Sequence, residues 1–130
     1  MNQPKDVRVL LVEDEVLVRM FAVDALEDGG FKVDQAGSGA DALTLLRAHV
    51  NDITAVVIDL GLPDVQGDEV AAEMRKLRAD MPILIASGRS ERELRDKFFG
   101  DARVAVLTKP YTSSLLLDAL ASIGVKGAAV

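Results

Sequence analysis

The chain has 130 residues, 49 % of them hydrophobic and 28 % charged, with a net charge of −6, no cysteine and one histidine. That suits one globular domain able to bury roughly two-thirds of its unfolded surface, and it is too apolar for a disordered segment. The acidic balance argues against nonspecific nucleic-acid binding, and the missing cysteines exclude disulfides and thiol catalysis.

Met1-Asn2-Gln3-Pro4-Lys5-Asp6 carries no apolar signal segment, and no run approaches the ~18 apolar residues of a membrane span. A cytoplasmic protein with no membrane contact is therefore expected. Val9-Leu10-Leu11-Val12 marks a first strand at about 7–12. A helix follows over about 15–28, with Val18, Phe21, Ala22, Ala25 and Leu26 spaced as a core stripe. Val16, Met20 and Val23 form a second apolar line, either a widening of the buried face or an exposed contact stripe. Gly29-Gly30 stops the helix, since glycine accepts the left-handed conformation of a helix end.

Lys32-Val33-Asp34-Gln35-Ala36 alternates and reads as an edge strand, followed by a helix at about 39–49 with Ser38 as its N-cap and His49 as a solvated residue at its end. A strand at about 54–59, a helix at about 66–79 and a strand at about 82–87 opened by Pro82 come next. A charged helix over about 90–99 is capped by Ser90 and anchored by Leu94 and Phe98. A strand at about 103–108 and a helix at about 112–123 capped by Thr112 complete the pattern. The first, third, fourth and fifth strands are nearly continuous apolar runs, as strands buried on both faces require. Five strand–helix alternations with short connections predict right-handed crossovers and an α/β doubly wound parallel sheet. One domain is expected over residues 6–124, with short tails at 1–5 and 125–130 and no output domain.

The chemistry gathers at the strand ends. Glu13-Asp14, Asp59, Ser87 and Lys109-Pro110 each follow an apolar run. Open α/β sheets bind ligands at the carboxyl ends of their strands, near the switch in strand order. In the order 2-1-3-4-5, Glu13-Asp14 and Asp59 face each other across that switch. Carboxylates so close repel one another unless a cation intervenes. An oxygen-only set suits Mg2+, whereas the lack of cysteine and the single remote histidine argue against zinc. Taken singly, each cluster has a plainer explanation: an acidic first turn, a loop carboxylate, a strand end, a turn. Their joint placement on four strands is what carries the reading.

These residues resemble the receiver domain of a two-component response regulator over about residues 6–124. The resemblance rests on Leu11-Val12-Glu13-Asp14, on Val57-Ile58-Asp59-Leu60-Gly61-Leu62-Pro63 with Gly67 following, on Ala86-Ser87-Gly88 and on Leu107-Thr108-Lys109-Pro110-Tyr111. It implies a flavodoxin-like (βα)5 fold and a phosphoacceptor switch rather than an enzyme. Asp59 would take a phosphoryl group from a kinase phosphohistidine. Asp14, Asp59 and the Gly61 carbonyl would ligate Mg2+, with Glu13 acting through water; Lys109 would pair with phosphoryl oxygens and Ser87 would donate to them. It also implies a cis Lys109-Pro110 peptide, which proline makes accessible. The implied partners are a sensor histidine kinase or histidine phosphotransfer protein and a downstream protein, with no DNA-binding domain. Pairing through the fourth and fifth helices on phosphorylation is compatible with the resemblance.

One position departs from the family. Val106 stands where many receivers carry Tyr or Phe, so a rearrangement of the Ser87-Gly88 loop and of residues 88–99 is expected in place of an aromatic flip. Three other readings compete. A pseudo-receiver, folded alike but never phosphorylated, is opposed by the intact acidic pair Glu13-Asp14, Asp59 and Lys109. An aspartate-nucleophile phosphatase would want a second aspartate where Gly61 stands. A nucleotide or flavin binder would rest on Gly37-Ser38-Gly39, too short for a phosphate-binding fingerprint.

Overall fold

A computed structural model describes residues 7–88, 96, 98 and 100–127. Five strands, β1 Val7–Val12, β2 Phe31–Ala36, β3 Ile53–Asp59, β4 Ile83–Ser87 and β5 Val104–Thr108, form one sheet in the order β2-β1-β3-β4-β5. Every pairing is parallel. The described helices are α1 Val16–Asp28, α2 Gly39–Ala48, α3 Gly67–Leu77 and α4 Ser113–Ser122. Most of the predicted segment 90–99, including Ser90 and Leu94, lies outside the described residues, so α4 is the helix expected at 112–123. Phe98, the other expected anchor, is described and packs against the core.

Strand alternation divides the core in two. Leu10, Val12, Val56, Ile58, Ile83 and Ile85 face α2 and α3, where Leu46, Val70 and Met74 meet them. Val9, Leu11, Ala55, Val57, Leu84 and Leu107 face α1 and α4, where Ala22, Leu26, Leu116 and Leu120 meet them. Each inner strand is thus covered on both sides, which explains its unbroken apolar sequence. Ser38 Oγ accepts a hydrogen bond from the Asp41 N–H, and Thr112 Oγ1 accepts one from Leu115, as caps should. Gly30, at φ 91°, supplies the left-handed residue after α1.

Several expectations need correction. β5 is a sheet edge, and Val104, Ala105 and Val106 are only half-buried, because an outermost strand has a neighbour on one side. Phe21, placed in the core stripe of α1, is 42 % exposed and instead meets the Tyr111 ring, centroids 6.0 Å apart. On the second line of α1, Val16 and Met20 are exposed, whereas Val23 packs against the core. Helix α3 stops at Leu77, two residues short of expectation. Arg78 leaves the helix in an extended conformation, and its guanidinium donates to the carbonyls of Val50 and Ile53.

The register fixes what meets at the carboxyl edge. Val12 lies beside Ala36 and Ile58, Asp59 beside Ala86, and Ser87 beside Thr108. The residues that end or immediately follow four strands are therefore level with one another.

Candidate functional site

Glu13, Asp59 and Ser87 are the buried polar residues among those described. Burying a carboxylate is costly unless it is paired, and here one ammonium serves two of them. Lys109 Nζ lies 2.8 Å from Glu13 Oε1 and 2.7 Å from Asp59 Oδ1. The second Asp59 oxygen, Oδ2, accepts the Gly61 N–H at 3.1 Å, and Glu13 Oε2 accepts the Glu15 N–H at 3.3 Å. Asp14 is the more open member of the acidic set, and one oxygen from each of Glu13, Asp14 and Asp59 lies within 4.8 Å of the others.

The charges follow from this geometry. Burial pushes the Glu13 carboxyl above its ordinary pKa and the Asp59 charge adds to this, against the opposing Lys109 hydrogen bond. Burial alone would lower the Lys109 pKa, but its bonds to Asp59 and Glu13 outweigh it and the ammonium is held charged. Burial, then the Glu13 charge, raises the Tyr111 phenol. Three carboxylates against one ammonium leave net negative charge at a spot walled by protein, so the donor set fits a hard divalent cation such as Mg2+.

A pocket of about 420 Å3 opens beside this cluster, lined by Glu15, Asp59, Leu60, Gly61, Gln66, Ser87, Gly88 and Lys109. Its walls are set by backbone. The Lys109 N–H donates to the Ser87 carbonyl and the Leu60 N–H to Ala86, carrying the ladder past the strands, and Gly61 bridges to Gln66. Lys109-Pro110 is cis. All the residues singled out in the sequence, Glu13, Asp14, Asp59, Gly61, Ser87 and Lys109, thus come together.

Residues 9–121 match the response regulator receiver domain family. The chain belongs to that family. It is 36 % identical over 104 residues to a sensor kinase, CckA, of Brucella abortus, covering 80 % of this chain and 11 % of that protein. It is 33 % identical to the transcriptional regulatory protein PdtaR of Mycobacterium tuberculosis, covering 87 % of this chain and 54 % of the relative. The chain therefore spans about half the length, or less, of these relatives. Among solved structures, a response regulator receiver protein from Sinorhizobium medicae superposes with a TM-score of 0.82 at 31 % identity, covering 92 % of this chain and 94 % of that one. A receiver domain protein from Clostridium thermocellum does so with a TM-score of 0.82 at 24 % identity, covering 90 % and 94 %. Receiver domains are signalling modules of two-component systems and bind Mg2+ at an acidic pocket; in this chain Glu13, Asp14 and Asp59 form an acidic cluster.

Receiver membership leaves several contacts unanticipated by sequence. Asp64, in the loop after β3, accepts the Gly39 and Ala40 N–H groups at 2.9 and 3.0 Å, tying that loop to the start of α2, and these bonds lower its pKa. Leu17, on neither apolar line drawn along α1, is 80 % exposed. Arg19 reaches back to the Glu13 carbonyl. Val106, the departure from the usual aromatic, pairs with Ile85 and packs partly buried against the core. The rearrangement expected at 88–99 falls mostly outside the described residues. Among those described, no helix is long and apolar enough to cross a membrane.

Proposed function

We propose that this receiver domain accepts a phosphoryl group on Asp59 from a phosphohistidine of a sensor kinase or phosphotransfer protein, and then acts through protein contacts. The observation that carries this reading is the sharing of Lys109 between Glu13 and Asp59, with Asp14 in reach of both, at the mouth of a pocket. An Asp59 oxygen attacks phosphorus while the P–N bond breaks, its electron pair passing to the donor imidazole, and an acyl phosphate forms. Such a transfer needs alignment and charge neutralisation more than covalent machinery. Asp14, Asp59 and the Gly61 carbonyl would hold Mg2+, with Glu13 behind them, and the ion supplies positive charge to the phosphoryl oxygens. Lys109 moves from pairing with Asp59 to pairing with the phosphoryl group, and Ser87 donates to it.

The donor surface follows from α1. A groove of about 470 Å3 lined by Glu15, Leu17, Val18, Phe21, Lys109, Pro110 and Tyr111 shares Glu15 and Lys109 with the phosphoacceptor pocket. Leu17 and Phe21 in its wall expose 80 and 42 % of their surface, and Val16 and Met20 on the same helix expose 57 and 59 %. An apolar ridge on the donor seated there would bring its phosphohistidine to Asp59.

The test is incubation with Mg2+ and either a small-molecule phosphodonor or a histidine-phosphorylated protein, followed by intact-mass measurement. The wild type is expected to gain one phosphoryl adduct from either, and Asp59→Ala none. Met20→Glu is expected to slow transfer from the protein donor about tenfold and leave the small donor unaffected, because it places a charge on the exposed apolar face of α1 beside the groove and away from the acidic cluster. A folded wild type that takes no adduct from any donor contradicts the reading, and equal loss with both donors in Met20→Glu contradicts the docking surface.

A further inference from the structure

We propose that Arg19 is a positioning residue for the metal-holding carboxylates, fixing the Glu13–Asp14 peptide from outside the pocket. The inference rests on the Mg2+ reading above. Arg19 Nη1 donates to the Glu13 carbonyl at 2.9 Å, while its own N–H bonds the Glu15 carbonyl in the first turn of α1. The side chain thus folds back from the helix onto the loop that precedes it. On the other side, the Glu13 N–H donates to Ala36 at the end of β2, and Glu13 Oε2 accepts from Glu15. Glu13 is therefore held at its amide, its carbonyl and its carboxylate.

The carbonyl bond is the one that bears on Asp14. The Glu13 carbonyl and the Asp14 N–H belong to one rigid peptide plane, so the orientation of that plane sets where the Asp14 side chain starts. Glu13 is 3 % exposed and lies one residue past the end of β1. Among the described residues Arg19 is the donor to that carbonyl, and a buried acceptor that loses its partner would turn in search of another. Gly37 leaves room for this arrangement: a Cβ there would lie 3.3 Å from Arg19 Nη1, so the guanidinium would have to give by a few tenths of an ångström.

The sign of the effect separates positioning from charge. Arg19 is a cation near an acidic cluster, so on Coulomb grounds alone its removal strengthens Mg2+ binding. Positioning predicts the reverse. Calorimetric titration of the full chain with MgCl2 is expected to show Arg19→Met binding at least tenfold more weakly than wild type, the size of effect found for residues that orient metal ligands. Arg19→Lys, which restores a donor and the charge, should recover part of the loss. Arg19→Gln, which removes the charge and is too short to reach the Glu13 carbonyl in the same way, should weaken Mg2+ binding likewise, and it serves as the test if Arg19→Met does not fold. Mg2+ binding equal to or tighter than wild type in Arg19→Met, or in Arg19→Gln where that variant replaces it, overturns the proposal with the metal reading intact. A wild type that binds no Mg2+ overturns both.

Discussion

Replacing Lys109 with methionine is expected to destabilise the metal-free protein by about 3 kcal/mol and to slow phosphorylation at least a hundredfold. The side chains it leaves behind are Glu13 and Asp59, only 3 and 9 % exposed, each within 2.8 Å of the lost ammonium. Methionine fills the volume but returns no charge, and removing one member of a buried pair leaves the others uncompensated. Adding Mg2+ should restore much of the stability, because the ion can take over neutralisation of the same carboxylates. It should not restore the rate, since Lys109 is the proposed partner of the phosphoryl oxygens. Denaturant unfolding with and without Mg2+, together with a time course of adduct formation, checks both halves. A variant as stable as wild type without Mg2+ would mean that the ion pairs contribute no net stability. One that is phosphorylated at the wild-type rate would remove Lys109 from the chemistry.

The second large effect is expected at Gly67. A Cβ there would sit 2.2 Å from the Asp59 carbonyl oxygen and 2.8 Å from the Leu60 Cα, both backbone atoms that cannot rotate away. The Gly67 N–H also donates to the Leu60 carbonyl at 2.7 Å, closing the loop that carries Gly61. Gly67→Ala must therefore push α3 away from the end of β3, costing about 3 kcal/mol by overpacking and displacing Asp59 itself. Gly61→Ala is the matched contrast. Its Cβ would meet Asp59 Oδ2 at 3.7 Å, an ordinary contact, so stability should change by less than about 0.5 kcal/mol. Paired thermal melts read this difference, and equal stability of the two variants would contradict it.

Much of this was legible in the sequence because the fold and the site use the same signals. A parallel sheet covered on both faces forces unbroken apolar strands, and the polar residue that ends each one sits at the ligand-binding edge. Asp59, Ser87 and Lys109 were found that way, and the caps Ser38 and Thr112 by their local chemistry. Sequence reasoning failed where a contact depends on relative placement. Phe21 has core spacing on α1, yet it lies near the strand-edge loops and meets Tyr111 instead of the sheet. β5 is as apolar as the inner strands, and only the strand order reveals it as an edge. Arg19 and Asp64 carry no periodic signal at all. One acts across six residues and the other across 25, and neither reach can be inferred from composition or spacing.

Asp59 is the proposed acceptor, with Glu13 and Asp14 serving a metal beside it. The most direct test is a crystal structure of the wild type with Mg2+ and beryllium trifluoride, a mimic of a carboxyl-bound phosphoryl group. The prediction is beryllium trifluoride on an Asp59 oxygen, contacted by Lys109 and Ser87, with Mg2+ bound by Asp14, Asp59 and the Gly61 carbonyl. Beryllium trifluoride on another carboxylate, or a fully formed Mg2+ site with Asp59 left unmodified, would contradict it.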